Sequence, residues 1–272
     1  MRGASRASLA AAKERLAELT ASGSDADAGQ LGEELFAVTE LLDGQPALLR
    51  SLSDPARDGE ARSGLLTGLL RGKVSEGTLD LLAGLVSARW SDPGDLADAA
   101  EQLAVLAVVE TADAAGQLDD LEDELFRFGR IVNSAATLRT VLSNPFVAGV
   151  RKQELVGELL DGKVTPAALQ LITQAAGRPR GRSLDGSLAE YARLAAQRRA
   201  RMVAEVHVAI GLTTEQRGRL AAALAAAYGH EVHLNVVLDP DVIGGISIRT
   251  GDELIDGSLA ARLVSLRRDL AA

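Results

Sequence analysis

The stretch LEDELF, residues 121–126, repeats LGEELF, residues 31–36, at an offset of 90 positions, and this repeat decides the fold. Continued without a gap, residues 31–82 match residues 121–172 at 17 of 52 positions, including LSDP with LSNP and LLRGKVS with LLDGKVT. Self-similarity at a fixed period is typical of a repeated structural module. We therefore expect two copies of one module, the first in residues 1–103 and the second in residues 104–202.

Each copy is predicted to be a helix bundle. In the second copy, apolar residues recur at helical spacing and define one face: Leu118, Leu121, Leu125, Phe128 and Val132. Helix starts are predicted where an N-cap acceptor precedes a proline at the first helical position: Asp54–Pro55, Asn144–Pro145, Asp92–Pro93 and Thr165–Pro166. The recurrence of these caps indicates the same helices in the same order.

Residues 203–272 follow different patterns, which predict a small α/β domain. Two segments alternate as half-buried strands do: Met202, Ala204, Val206, Val208 and Ile210, then Val232, Leu234, Val236 and Leu238. Between them, Thr213 and Gln216 have the spacing of a capping box, and Gly229 is expected to end that helix. A hairpin with Ile246 and Ile248 turns at Gly251–Asp252, before a final helix with one apolar face: Leu259, Leu263, Leu266 and Leu270. The predicted fold class is mostly α, with two tandem helix bundles and a small α/β domain that holds a short mixed sheet.

Composition excludes several classes of protein. The 272 residues contain no cysteine, which removes disulfides, thiolate metal sites and cysteine nucleophiles. The longest clean apolar run, LAVLAVV at residues 103–109, is far shorter than the roughly 20 residues needed to cross a bilayer. The N-terminus has no apolar stretch typical of a secretory signal. The net charge of −9 disfavours nonspecific binding to nucleic acid or anionic membranes, so we expect a soluble, intracellular protein.

The stretch GGISIRTGDELIDGSLAARL, residues 244–263, has the glycines and carboxylates of a possible binding loop. A dinucleotide-binding loop leads from a strand directly into a helix, whereas Gly244 and Gly245 precede a strand, and no G-K-[ST] sequence follows. Gly257 does precede a helix, but Asp256 beside it would repel an anion. Turn and cap chemistry is therefore favoured over phosphate binding: Gly251 and Asp252 form the turn, and Asp256 or Ser258 caps the last helix.

No other pattern predicts a catalytic residue, a metal site or a cofactor. His230 and His233 have the spacing of half a metal site, but no carboxylate or third histidine follows them at ligand spacing, and His207 stands alone on a strand. GSLAEY, residues 186–191, is not a nucleophile elbow. The carboxylates of LDDLEDELF suit a helix N-terminus better than a catalytic pair, and Trp90 at a helix end is expected to be a packing residue. An enzyme whose site is assembled from distant residues stays open.

The charges are unevenly distributed. Residues 92–124 hold no Lys or Arg but eleven acidic residues: Asp92, Asp95, Asp98, Glu101, Glu110, Asp113, Asp119, Asp120, Glu122, Asp123 and Glu124. Residues 178–201 hold seven arginines. We favour two solvated faces that partly neutralise each other across the second bundle. The alternatives are that the acidic stretch docks a basic partner helix, or that GRPRGR, residues 177–182, grips phosphates, although it lacks the aromatic residues that stack on bases.

The segment DPDVIGGISIRTGDELIDGSLAARLVSLRRDL, residues 239–270, resembles the C-terminal motif of the delta subunit of bacterial F-type ATP synthases. The mitochondrial relative of that family is the oligomycin-sensitivity-conferring protein. Residues 106–145 resemble the family's opening helices, and AEVHVAIGLTTEQRGRL, residues 204–220, resembles its junction into the C-terminal domain. Residues 101–272 thus cover one delta subunit. The additional N-terminal copy is similar to the lengthened form found in some high-GC bacteria.

The resemblance implies a mechanical role without catalysis or a cofactor. Delta subunits belong to the peripheral stalk: their helix bundle grips the N-terminal helices of the alpha subunits, and their C-terminal domain grips the membrane-anchored b subunit. The headpiece is thereby kept from turning with the rotor. The resemblance also implies a peripheral position on the cytoplasmic face of the cell membrane, held by partner subunits, with no direct membrane insertion and no nucleic-acid partner. The alternative is a free-standing helical adaptor unrelated to ATP synthase.

Overall fold

The structure is a computed structural model, and it describes residues 1, 3–22, 25–201, 203–228, 232–239, 242, 245–250 and 253–256. The chain divides into two compact units, Met1–Ala195 and Ala196–Ala272. The first unit is helical and contains both copies of the repeat. The second unit contains the sheet. The predicted fold class, mostly α with a small mixed sheet at the C-terminal end, is confirmed.

Eleven described helices precede the first strand. Their bounds are α1 Gly3–Ser22, α2 Asp25–Gly44, α3 Pro46–Ser53, α4 Gly59–Leu70, α5 Glu76–Ser87, α6 Pro93–Ala114, α7 Leu118–Ser134, α8 Ala136–Ser143, α9 Gly149–Leu160, α10 Pro166–Gly177 and α11 Leu184–Arg201. The division between the two compact units falls inside α11.

The helices repeat with the same 90-residue offset as the sequence. Helices α3, α4 and α5 begin at residues 46, 59 and 76, and α8, α9 and α10 begin at residues 136, 149 and 166. Helix α1 corresponds in the same way to α6, and α6 corresponds to α11. Helix α6 therefore closes the first copy and opens the second. The copy boundary expected at residue 103 lies inside this shared helix, and the division into 1–103, 104–202 and 203–272 stays a prediction.

Helix α6 is buried along most of its length, although Asp98 is exposed. Twelve of its residues are buried, among them Leu96, Leu103, Val105 and Val109 at 0 % exposure. It contacts α1, α2, α3 and α5 of the first copy and α7 and α10 of the second. A helix that is apolar all round belongs in the interior of a protein, which explains the run LAVLAVV. The two copies therefore share one core built around α6.

The apolar face predicted for α7 and the helix starts predicted for α6 and α10 are confirmed, and the two other predicted helix starts are wrong. All five residues of the predicted α7 face are buried. Asp92 caps α6 and Thr165 caps α10, each followed by proline. Asp54 and Asn144 instead follow α3 and α8, and each side chain accepts a hydrogen bond from the backbone N–H two residues later, at 2.9 Å. These two Asx-Pro pairs form turns because Asx side chains close turns as readily as they cap helices.

The second unit contains β1 Val203–Val208, α12 Thr214–Tyr228, β2 His233–Leu238, β3 Ile246–Thr250 and β4 Glu253–Asp256. The strand order is β2-β1-β3-β4, with β1 parallel to β2 and the other pairs antiparallel. Its core is formed by Ala204, Val206, Val208, Leu224, Val232 and Ile248. The predicted alternation of β1 is confirmed, except that Ile210 lies beyond the strand and is exposed.

The capping box of α12 is also confirmed. The Thr213 N–H donates to the Gln216 side chain at 2.9 Å, and the Gln216 N–H donates to Thr213 Oγ1 at 3.2 Å. Helix α12 ends at Tyr228, immediately before the predicted stop, Gly229, which lies outside the described residues. Met202, His230 and the final helix with Leu259, Leu263, Leu266 and Leu270 also lie outside the described residues.

Candidate functional site

The glycine-rich motif of residues 244–258 supports the hairpin of the second unit. Gly245 has φ 85°, a left-handed conformation that suits glycine, and it leads into β3. Strand β3 pairs with β4 so that Thr250 faces Glu253 and Ser247 faces Asp256, the register that the predicted hairpin requires. Gly244, Gly251, Asp252, Gly257 and Ser258 lie outside the described residues. Their assignment to turns and caps therefore stays a prediction, as does the capping role of Asp256.

Glu101, in the middle of the acidic stretch, is the centre of a buried ion-pair network. Its side chain is 4 % exposed. Arg180 Nη1 donates to Glu101 Oε2 at 2.6 Å, Tyr191 Oη donates to Oε1 at 2.9 Å, and Arg182 also pairs with Oε1. A buried carboxylate is costly unless it is paired and hydrogen-bonded, and here it is both. The expectation of solvated faces is thus wrong at Glu101, because the arginines reach it inside the unit.

Arg180 joins the two copies. It lies in the turn between α10 and α11, and its Nε donates to Oδ2 of Asp43, at the end of α2, at 2.6 Å. Its Nη1 also lies 3.0 Å from Asp98 of α6. Burial opposes the charge of Arg180, but the hydrogen bonds and charges of Asp43 and Glu101 outweigh it and raise the pKa of Arg180. Arg178 of the same turn pairs with Glu40 of α2.

The backbone of this turn is strained. Arg180 has φ 48°, in the left-handed region that non-glycine residues rarely adopt, and it precedes Gly181 at φ 75°. Such a conformation costs on the order of 1–3 kcal/mol and persists only where surrounding contacts impose it. Its three carboxylate partners supply those contacts. GRPRGR therefore binds carboxylates of its own chain, where the sequence had also allowed phosphates.

Other members of the acidic stretch also have partners within the chain. Asp92 accepts a hydrogen bond from the Gly94 N–H at 2.8 Å, and Asp95 accepts one from Ser5 Oγ at 2.7 Å. Asp123 pairs with Arg127 one turn along α7. Glu110, Asp113, Asp119 and Glu122 take part in further interactions. Docking of a basic partner by this stretch stays a prediction.

Glu124 belongs to a polar cluster that the repeat has duplicated. Its carboxylate accepts from the Thr165 N–H at 3.0 Å and from Thr165 Oγ1 at 2.7 Å, at the start of α10. In the first copy, Glu34 accepts from the Ser75 N–H at 3.0 Å and also from Thr78 Oγ1, at the start of α5. Burial alone would raise the pKa of Glu34, but the hydrogen bonds outweigh it and lower that pKa. These carboxylates therefore hold α2 and α7 against the N-termini of α5 and α10.

Two residues singled out earlier have structural partners. Trp90 is buried in the turn between α5 and α6, and its Nε1 donates to the carbonyl oxygen of Leu85 at 2.9 Å, so its packing role is confirmed. His207 Nδ1 lies 3.1 Å from Asp239 Oδ2. Within the described ranges, no three metal-ligating side chains come together. None of the helices searched there is long and apolar enough to cross a membrane.

The outer side of α7 carries a surface that sequence analysis missed. Phe126 is 63 % exposed and Ile131 is 48 % exposed. Together with Asp123, Arg127, Arg130 and Ser134 they line a groove of about 480 Å³. The signal was present in the sequence, because Phe126 and Ile131 fall outside the stripe that contains Leu125, Phe128 and Val132.

The family model described as ATP synthase delta (OSCP) subunit matches residues 105–270. ATP synthase subunit delta of Streptomyces griseus subsp. griseus is 49 % identical over 271 residues, 100 % of both chains. The same subunit of Thermobifida fusca is 45 % identical, again over 100 % of both chains. A chain from the cryo-EM structure of the Toxoplasma gondii mitochondrial ATP synthase hexamer is 20 % identical at a TM-score of 0.31, covering 62 % of this chain and 95 % of that one.

Proposed function

This chain belongs to the ATP synthase delta (OSCP) subunit family, and on that premise we propose that it ties the alpha subunits of the catalytic headpiece to the b subunit. The observation that carries the proposal is the similarity over the whole chain to subunits named ATP synthase subunit delta. As a delta subunit the protein is a non-catalytic part of the peripheral stalk, as predicted. A free-standing adaptor unrelated to ATP synthase is excluded by this membership.

The two units suit two different partners. The helical unit of residues 1–195 presents helix faces, and amphipathic helices of partner proteins bind to such faces through their own apolar side. We assign the N-terminal helices of the alpha subunits to this unit and the b subunit to residues 203–272. With both contacts made, torque on the headpiece passes through this chain to the stator and is resisted there.

We also propose a peripheral position on the cytoplasmic face of the cell membrane. Partner subunits would hold the chain there without insertion into the bilayer. The net charge of −9 supports this arrangement, since it disfavours direct attraction to an anionic membrane surface.

The acidic stretch is proposed to contribute to the alpha contact through its exposed members. Asp120 and Asp123 lie on the outer side of α7, whereas Glu101 is committed to the interior. Reversal of three exposed carboxylates should weaken assembly with the alpha subunits, most strongly at low salt, because screening removes surface electrostatics. An affinity that does not change at low salt would discard this contact.

The test of the assignment is cross-linking mass spectrometry on the intact membrane complex. We expect links from the helical unit to the N-termini of alpha subunits and links from residues 203–272 to b. All four lysines lie in the helical unit, so lysine-directed links report on that unit, and arginine- or carboxylate-directed reagents are needed for residues 203–272. A chain present in the complex but linked to neither partner would end the assignment.

A further inference from the structure

The outer face of α7, which consists of Asp123, Phe126, Arg127, Arg130, Ile131 and Ser134, has the form of a helix-docking surface. These positions recur on successive turns, so they form one continuous stripe about 16 Å long at a rise of 1.5 Å per residue. An aromatic residue that is 63 % exposed within such a stripe is unusual for a helix of a folded unit. Exposed aromatic anchors flanked by arginine are typical of protein interfaces.

The repeat provides an internal comparison for this face. Phe36 stands at the position of Phe126 in the first copy, and it is only 6 % exposed. In that copy, Glu40 on the same helix pairs with Arg178, which comes from the second copy. The first copy therefore buries the phenylalanine of this helix and pairs Glu40 with an arginine of the second copy, while Leu41 stays 37 % exposed. In the second copy the phenylalanine itself is exposed.

The charge at the corresponding position is reversed. Glu40 of the first copy receives a cation, and its counterpart in the second copy is Arg130, which is exposed and makes no ion pair with any residue in the described part of the chain. A group that docks beside Arg130 is therefore expected to be anionic. Arg127, which pairs with Asp123, adds to the positive end of the stripe.

We propose that the outer face of α7 binds an antiparallel amphipathic helix from another subunit, with carboxylates in its first two turns and basic residues towards its end. The antiparallel direction sets the partner's N-terminus against Arg127 and Arg130, where carboxylates also complement the partner's own helix dipole. The partner's basic end then lies against Asp120 and Asp123, and its apolar face covers Phe126 and Ile131. The inference rests on the proposed stator function and names where one of its helical partners binds.

The size of the face favours a single helical segment over a second copy of this chain. Stable protein interfaces bury about 800 Å² on each partner, and a stripe about three turns long on one helix supplies much less. Such a contact suits one segment of a partner that is held elsewhere too, because linked contacts strengthen each other through effective concentration.

A photo-reactive residue at position 126 of the full-length chain tests the location. Phe126→p-benzoylphenylalanine preserves the aromatic ring, and a chain with the same residue at Leu41, the first-copy counterpart of Ile131, serves as the control. In the assembled complex we expect position 126 to cross-link a helical segment of another subunit whose first turns are acidic. Cross-links only within this chain, only to a second copy, or equal in yield to those from position 41 would overturn the inference.

Binding measurements separate this inference from the proposed function. Full-length wild type and the variants Phe126→Ser, Arg130→Glu and Leu41→Ser are titrated against headpiece prepared without this subunit. We expect Phe126→Ser to weaken binding about tenfold and Arg130→Glu to weaken it more at low salt than at high salt, with Leu41→Ser unchanged. Wild-type affinity in Phe126→Ser would overturn the inference alone. Failure of wild type to bind would overturn the proposed function.

Discussion

Substitution of Glu101 by glutamine tests the buried network that joins the two copies. Glu101→Gln keeps the shape of the side chain but removes the charge that faces Arg180 and Arg182. Loss of one partner of a buried ion pair costs about 3–5 kcal/mol, because the other charge stays buried without compensation. Arg180 keeps Asp43 and Asp98, so we expect the lower end, about 3 kcal/mol of the free energy of unfolding.

Trp90 is the reporter for this experiment. It is the only tryptophan of the chain, it is buried, and it lies in the same helical unit as Glu101. Urea unfolding followed by its fluorescence therefore reports on this unit and not on the sheet. With a slope of about 2–3 kcal/mol per molar urea, a loss of about 3 kcal/mol shifts the midpoint by roughly 1 M.

Glu40→Gln is the matched control, because it removes a carboxylate from the Arg178 pair, whose side chains are 35 % and 50 % exposed. Exposed pairs contribute no more than about 1 kcal/mol, so the midpoint should move by a third of that amount or less. A shift for Glu101→Gln no larger than for Glu40→Gln would refute the argument that burial makes this network important.

Three further predictions concern packing, capping and pH. Gly149→Ala should lower the melting temperature, since its Cβ would lie 2.4 Å from the Gly177 carbonyl oxygen, whereas Gly64→Ala in α4 has open space and should raise it slightly. Thr213→Ala should destabilise α12 by about 1 kcal/mol through loss of its cap, seen as faster amide exchange in residues 214–228, and unchanged exchange would contradict this. The pKa of Glu34 is lowered in the folded state, so its charged form stabilises the fold above pH 4.5, and this contribution is lost on acidification. The difference in unfolding free energy between wild type and Glu34→Gln should therefore shrink at acid pH. A difference that stays constant with pH would contradict this.

The sequence predicted those helices, strands and caps that depend on residues only a few positions apart. The buried stripe of α7, the alternation of β1 and the capping box of Thr213 each depend on spacings of two to four positions, which the helix and strand periods fix. The 90-residue repeat added the order of the helices. The helix starts predicted at Asp54–Pro55 and Asn144–Pro145 were wrong, because a turn and a helix cap use the same side-chain acceptor.

Contacts between distant parts of the chain could not be predicted in this way. Glu101 and Arg180 are far apart in sequence, and no periodicity connects them, although Glu101 stands just before the apolar run of α6. The exposure of Phe126 depends on what covers α7 in three dimensions, and the same residue type at Phe36 is buried. Only the tertiary arrangement distinguishes those two phenylalanines.

The shared helix α6 limits how such a chain can be shortened in evolution. Excision of α1–α5 would remove five helices and leave a full six-helix module from α6 onwards, yet the side of α6 that now faces α1, α2 and α3 would meet water with alanine, valine and leucine on it. A single-module descendant would need polar residues along that side of α6 to remain soluble without aggregating. Gain of a module is the easier direction, because an incoming set of five helices only has to cover a helix that is already present.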